Sequence, residues 1–257
     1  MFPPQLAKTR ARTLAQALLL IAASIPLLLA VPGCTAAPSP YVTTVGALRP
    51  GTTLTVRAGD TTVNVYAPEA SQKRTLFTIS ATALPQGTPP PPPRIRPAAD
   101  GAVVVAPNRL ASLLVRVPDL SNLALISRHG DVNVTDIAGN ADVVAGAGNV
   151  VVMLPGYAQV SVLRGNISAT MGAVSWPGTL RFSTQHGDIT LWINPKAPCA
   201  VHLHTDDGTL FSDFGLRGTA NGNAETIDGI LDGGGPRGID VEAASGSIRL
   251  LRLQPQA

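Results

Sequence analysis

Two cysteines, 4% aromatic residues and 14% charged residues in 257 positions exclude several kinds of protein at once. Cys34 and Cys199 can form at most one bridge, so no disulfide framework holds the chain together. Aromatic rings are scarce: two Trp, three Tyr and five Phe. Sugar-binding clefts usually stack rings on such side chains, so an extensive glycan groove is disfavoured. Basic runs are missing too. The formal net charge is +3, and Lys8, Arg10 and Arg12 account for it, because the first 33 residues hold no acid. The remainder is neutral, which leaves no general electrostatic pull toward nucleic acid or an anionic membrane. Helical patterning is sparse after residue 33. Val, Ile, Thr, Gly and turn residues dominate there, which is an all-β composition.

What the chain does contain is a repeated phrase: glycine, a small polar residue, then alternating apolar positions. It occurs at Gly130-Asp131-Val132, Gly148-Asn149-Val150, Gly165-Asn166-Ile167, Gly187-Asp188-Ile189, Gly208-Thr209-Leu210 and Gly246-Ser247-Ile248, with a degenerate copy at Asp228-Gly229-Ile230-Leu231. The spacing of about 17 to 22 residues lies in the range of stacked-repeat architectures. Aligning the copies on glycine gives two apolar columns. Two residues after it stand Val132, Val150, Ile167, Ile189, Leu210 and Ile248. Five before it stand Leu125, Val143, Val160, Phe182, Leu203, Ala224 and Val241. A column of small residues lies three before it, including Ser127, Ala145, Thr184, Thr205 and Ala243.

Apolar residues at every second position mark one buried strand face. Each repeat therefore predicts two short strands meeting at a glycine corner, with the following Asp or Asn closing the turn through its side chain. Such strands are too short to stand alone and must stack on their neighbours. The expected fold is all-β, a β-solenoid-like stack of short strands on the order of 30 Å long at a strand spacing of about 4.8 Å. The alternative is a β-sandwich with evenly spaced hairpins.

The N-terminus reads as an export signal over residues 1–33. A basic stretch from Lys8 to Arg12 precedes an apolar run from Leu14 to Val31. Val31-Pro32-Gly33-Cys34 resembles a bacterial lipobox, in which the signal is cut before a cysteine that then carries lipid; Pro32 departs from that pattern. Lipidation at Cys34 is the expectation. Cleavage near Ala36-Ala37 and an uncleaved anchor are the alternatives, and all three put the body of the protein outside the cytoplasm. Residues 34–49 then form a lipidated cysteine and a tether. Residues 50–257 form the repetitive β domain, with a proline-rich loop at 85–99.

These features together resemble the bacterial "putative adhesin" family, a domain of unknown function in exported proteins. The likeness rests on the Gly-Asp-Ile/Val phrases, on Val115-Arg116-Val117-Pro118, and on the closing stretch from Gly233-Gly234-Gly235-Pro236 through Ile239-Asp240-Val241 to Ser245-Gly246-Ser247-Ile248-Arg249-Leu250. It implies a repetitive β-fold at the cell envelope.

Candidate chemistry is thin. His202 and His204 share a strand face, followed by Asp206 and Asp207, and His186 lies one repeat earlier; a metal could use such a set, but a solvated outer face explains it better. His129 and His186 occupy equivalent corners about 14 Å apart at the strand spacing, too far for one site. Gly233 to Asp240 has a faint likeness to a calcium-binding β-roll repeat but occurs once. Cys199 reads as a half-buried structural residue. No catalytic residue, metal or cofactor is therefore expected. The function expected is a non-enzymatic envelope module for adhesion or scaffolding, in contact with the membrane through its lipid and with an envelope protein or glycan partner. The other readings are a polysaccharide-binding or polysaccharide-acting solenoid and an envelope signalling accessory.

Overall fold

The computed structural model describes residues 39–67, 75–85, 88–118 and 120–254. The export signal and Cys34 lie outside the described residues. All regular structure in these segments is β. In chain order the strands are β1 (Tyr41–Ala47), β2 (Thr53–Asp60), β3 (Thr62–Tyr66), β4 (Leu76–Ala83), β5 (Arg94–Ala98), β6 (Gly101–Val105) and β7 (Leu110–Arg116). The repeat region follows with β8 (Asn122–His129), β9 (Val132–Thr135), β10 (Ala141–Ala147), β11 (Val150–Leu154), β12 (Ala158–Arg164), β13 (Ile167–Met171), β14 (Thr179–His186) and β15 (Ile189–Ile193). It closes with β16 (Cys199–Asp207), β17 (Leu210–Ser212), β18 (Thr219–Asn221), β19 (Ala224–Leu231), β20 (Gly238–Ser245) and β21 (Ile248–Arg252).

The strands form two large mixed sheets. The ten-stranded sheet runs β1-β4-β7-β3-β9-β11-β13-β15-β21-β17, and the eleven-stranded sheet β18-β19-β16-β20-β14-β12-β10-β8-β2-β6-β5. From β8 to β15 consecutive strands alternate between the sheets, and each pairs in parallel with the strand one repeat away. Val143 sits opposite both Leu125 and Val160, and Val150 opposite both Val132 and Ile167. Both apolar columns point into one core. Val132, Val143, Val150, Leu203, Val241 and Ile248 are fully buried there.

The corners explain the glycines. A Cβ on Gly165 would lie 2.0 Å from the carbonyl oxygen of Gly148, and its φ of +143° disfavours any L side chain. The same clash recurs from Gly148 to Gly130 and from Gly187 to Gly165, so the glycines form a column in van der Waals contact. Their polar neighbours do something other than close their own turns. The side-chain oxygen of Asp131 accepts the backbone N–H of Asn149, Asn149 that of Asn166, Asn166 that of Asp188, and Asp188 that of Ser247. Each Asp or Asn ties its corner to the next one along the stack. The buried small column adds to this: Thr184 and Thr205 donate their hydroxyls to the carbonyls of Gly165 and Gly246, respectively.

Three expectations change, and the stacking order departs from chain order. The tether assigned to residues 34–49 contains β1, a regular strand paired antiparallel with β4. The loop at 85–99 contains β5, and its proline run packs on the body, with Pro90 and Pro93 buried at the three-residue period of a polyproline helix. The degenerate copy at Asp228-Gly229 is no corner, because it lies inside β19, antiparallel to β16. Finally, the last repeat does not stack last. β20 and β21 insert between β14/β15 and β16/β17, pairing in parallel on both sides.

Candidate binding face

The outer face of the eleven-stranded sheet presents a broad set of side chains available for recognition. Its strands bury every second residue, so the alternate residues line up in rows across the stack. One row runs Ile126, Val144, Ser161, Ser183, Glu242 and His204 from β8 to β16. Arg128, Leu163, Gln185 and Asp206 stand two residues further along their strands. A shallow groove of about 730 Å³ crosses these rows, floored by Val144, Leu163 and Ala244. Val144 is 46% exposed and Leu163 45%.

Charge is unequally divided along the groove. At the β2–β8 end, the Asp60 carboxylate accepts from His129 Nδ1 at 2.7 Å and lies 3.5 Å from the Arg128 guanidinium. The hydrogen bond from His129 holds the Asp60 carboxyl below its usual range; desolvation opposes it, and the charges of Arg128 and His129 add to the lowering. Arg164 extends the basic character to β12, whereas Arg181 on β14 lies outside the groove, 3.9 Å from Asp240. The β20–β16 end is acidic, with Glu242 and Asp206 in the groove and Asp240 and Asp228 beyond it on the same sheet face.

His202 and His204 sit at this acidic end, brought together by register. His202 Nδ1 lies 2.7 Å from an oxygen of Asp228, its partner across the antiparallel pair. That bond raises the His202 pKa above its ordinary value; the charges of Asp228, Asp240 and Glu242 reinforce the rise and partial burial opposes it. His204 lies between the Thr226 hydroxyl at 2.9 Å and Asp206 at 3.0 Å, and the His202 and His204 imidazoles are stacked with nearly parallel planes, centroids 6.4 Å apart. The two histidines thus bond different carboxylates, and among the described residues no three His, Cys, Asp or Glu side chains converge as metal ligands would. His186 is separated from this pair by the inserted β20. The order Thr226–His204–Asp206 is that of a nucleophile, base and orienting acid. Asp206, however, is 67% exposed to water, whereas the acid of a nucleophilic triad is ordinarily buried.

The remaining candidates lie elsewhere. Cys199 is fully buried on β16, and burial pushes its thiol up to about 11. Gly233 and Gly234 form a turn with positive φ between β19 and β20. Trp192 is on the other sheet, and Trp176 is buried, with its indole N–H toward the Gly238 carbonyl. The groove lining holds no Trp, Tyr or Phe. The groove itself was missed by sequence reasoning, because its neighbours come from different repeats and follow only from knowing which strands pair.

Neither a protein-family profile nor a curated protein matches the sequence. Among solved structures, the fold is similar to that of a putative cell adhesion protein from Clostridium sporogenes. The similarity has a TM-score of 0.50 at 12% identity and covers 83% of this chain and 100% of that one. At this identity the likeness is one of fold, and at that level it agrees with an adhesin-like architecture.

Proposed function

We propose that this protein is a non-enzymatic cell-envelope module for adhesion or scaffolding, exported and held to a membrane by lipid on Cys34. In this reading the repeat region is a β-solenoid-like stack whose task is to present a broad, rigid outer face. Parallel pairing of strands one repeat apart, with the same column register from β8 to β15, supports that description.

The observation that carries the functional reading is the groove across β8 to β16. It has an exposed aliphatic floor at Val144 and Leu163, a basic end and an acidic end. An apolar centre with charged margins is the anatomy of a protein-binding patch. Its lack of aromatic rings counts against stacking on sugar rings.

The test is attachment of cells displaying the full chain to surfaces coated with envelope proteins, matrix proteins or polysaccharide. Retention on protein coats supports the reading. Retention on polysaccharide alone, or turnover of the polysaccharide, replaces it with the glycan alternative. The anchor is tested separately: globomycin or Cys34→Ala should change electrophoretic migration and release the protein from membranes, and unchanged behaviour in both removes the lipid.

A further inference from the structure

An open sheet has edges whose unpaired backbone groups can recruit another strand, and proteins usually blunt them with charge, proline or short length. Among the described residues the two sheets have four edge strands: β1, β17, β18 and β5. Three are managed. β5 carries Arg94, Arg96 and Pro97, and β17 and β18 are only three residues each. β1 differs. Tyr41-Val42-Thr43-Thr44-Val45-Gly46-Ala47 is seven residues long, with no charge, no proline and an unbroken register against β4.

The hydrogen-bond phase shows what this edge offers. Pro40 accepts from the Ala83 N–H at 2.9 Å, and the Leu48 N–H donates to Thr75 at 2.6 Å. Antiparallel pairing alternates, so the even-numbered residues from 40 to 48 direct their backbone groups at β4. Tyr41, Thr43, Val45 and Ala47 therefore turn their N–H and C=O groups outward. Their side chains are also exposed, Tyr41 by 68% and Val45 by 56%.

We infer that β1 is a self-association edge, pairing antiparallel with β1 of a second copy so that two ten-stranded sheets become one. The register that pairs all seven residues places the two-fold axis at Thr44. It sets Thr43 opposite Val45 and Tyr41 opposite Ala47, each as a hydrogen-bonded pair, for up to about eight interchain bonds. Exposed side chains meet exposed side chains, as the two-residue pleat requires. The large Tyr41 falls beside the small Ala47, in one row with the exposed Leu76 of β4. A strand without charge meets no like-charge repulsion from its own copy. The second copy is favoured over an unrelated strand by this match of side-chain size and face about one axis. This association does not depend on what the sheet face binds.

Two variants of the full chain test it. Val45→Pro removes an outward N–H without touching the ladder to β4. Thr44→Cys places a thiol on the two-fold, where facing Cα atoms of a non-hydrogen-bonded pair stand about 4.5 Å apart, within disulfide range. Sedimentation velocity of the detergent-extracted protein should give a concentration-dependent dimer that Val45→Pro abolishes at unchanged thermal unfolding. Thr44→Cys in intact envelopes should give a band at twice the chain mass under non-reducing conditions, above the wild-type background. A wild-type monomer throughout the series overturns the inference. So does a dimer that persists in Val45→Pro, or a Thr44→Cys crosslink only to a different protein. If Val45→Pro fails to fold, the Thr44→Cys band decides alone.

Discussion

The side-chain oxygen of Asn166 accepts the backbone N–H of Asp188 at 2.8 Å, joining corners that are 22 residues apart in sequence and adjacent in the stack. Asn166→Ala leaves that N–H to water and removes one rung. The expected loss is about 1 kcal/mol, which for a domain of this size lowers Tm by roughly 2–4 °C. Thermal unfolding of the variant checks it; an unchanged Tm means that the rung contributes nothing.

Two glycines separate close packing from backbone freedom. Gly165→Ala forces a Cβ to within 2.0 Å of the Gly148 carbonyl, with backbone on both sides of the contact. It should abolish soluble folded protein. Gly178 has a φ of +78° and no atom within 4 Å of where a Cβ would stand, so Gly178→Ala carries only the left-handed backbone cost of about 1–2 kcal/mol. Circular dichroism and soluble yield of the pair distinguish the two. Equal tolerance would mean that the corner column is looser than it stands here.

Much of this was legible in the sequence, because the corner leaves a mark. Only glycine fits beside a neighbouring carbonyl, so the repeat glycines fix the phase of the columns at Val143, Val150 and their equivalents. What the chain does not mark is the order of stacking. β20 and β16 carry the same column types, Val241 and Leu203, so nothing local says which lies next to Phe182 of β14. The β-branched run of β1 was visible, but Pro38-Ser39-Pro40 just before it suggested a tether. The groove was hidden for the same reason as the stacking order, since Val144 and Leu163 become neighbours only through strand pairing.

His202 should titrate above the ordinary histidine value, held up first by its hydrogen bond to Asp228. A raised folded-state pKa means that its stabilisation is fully present below pH 6.5 and is lost as pH rises through the shifted value. Asp60 has the opposite sign. Its contribution is present above pH 3.8 and lost as pH falls through the lowered value. NMR titration should show the His202 pKa falling in Asp228→Asn; an unshifted His202 contradicts the assigned partner.

Cys199 should be inert in the folded state, since it is fully buried and its thiol is pushed up to about 11. A thiol reagent at neutral pH should modify it only after denaturation. Rapid labelling of native protein at Cys199 would show that β16 opens readily.

The most direct test of the binding face is the double variant Val144→Glu/Leu163→Glu in the attachment assay. Both side chains are nearly half exposed, so the changes should leave folding and surface display intact. Two carboxylates on the groove floor should reduce attachment of displaying cells at least tenfold, the equivalent of about 1.4 kcal/mol. Attachment equal to wild type at matched display would contradict the assignment of this face as the contact surface.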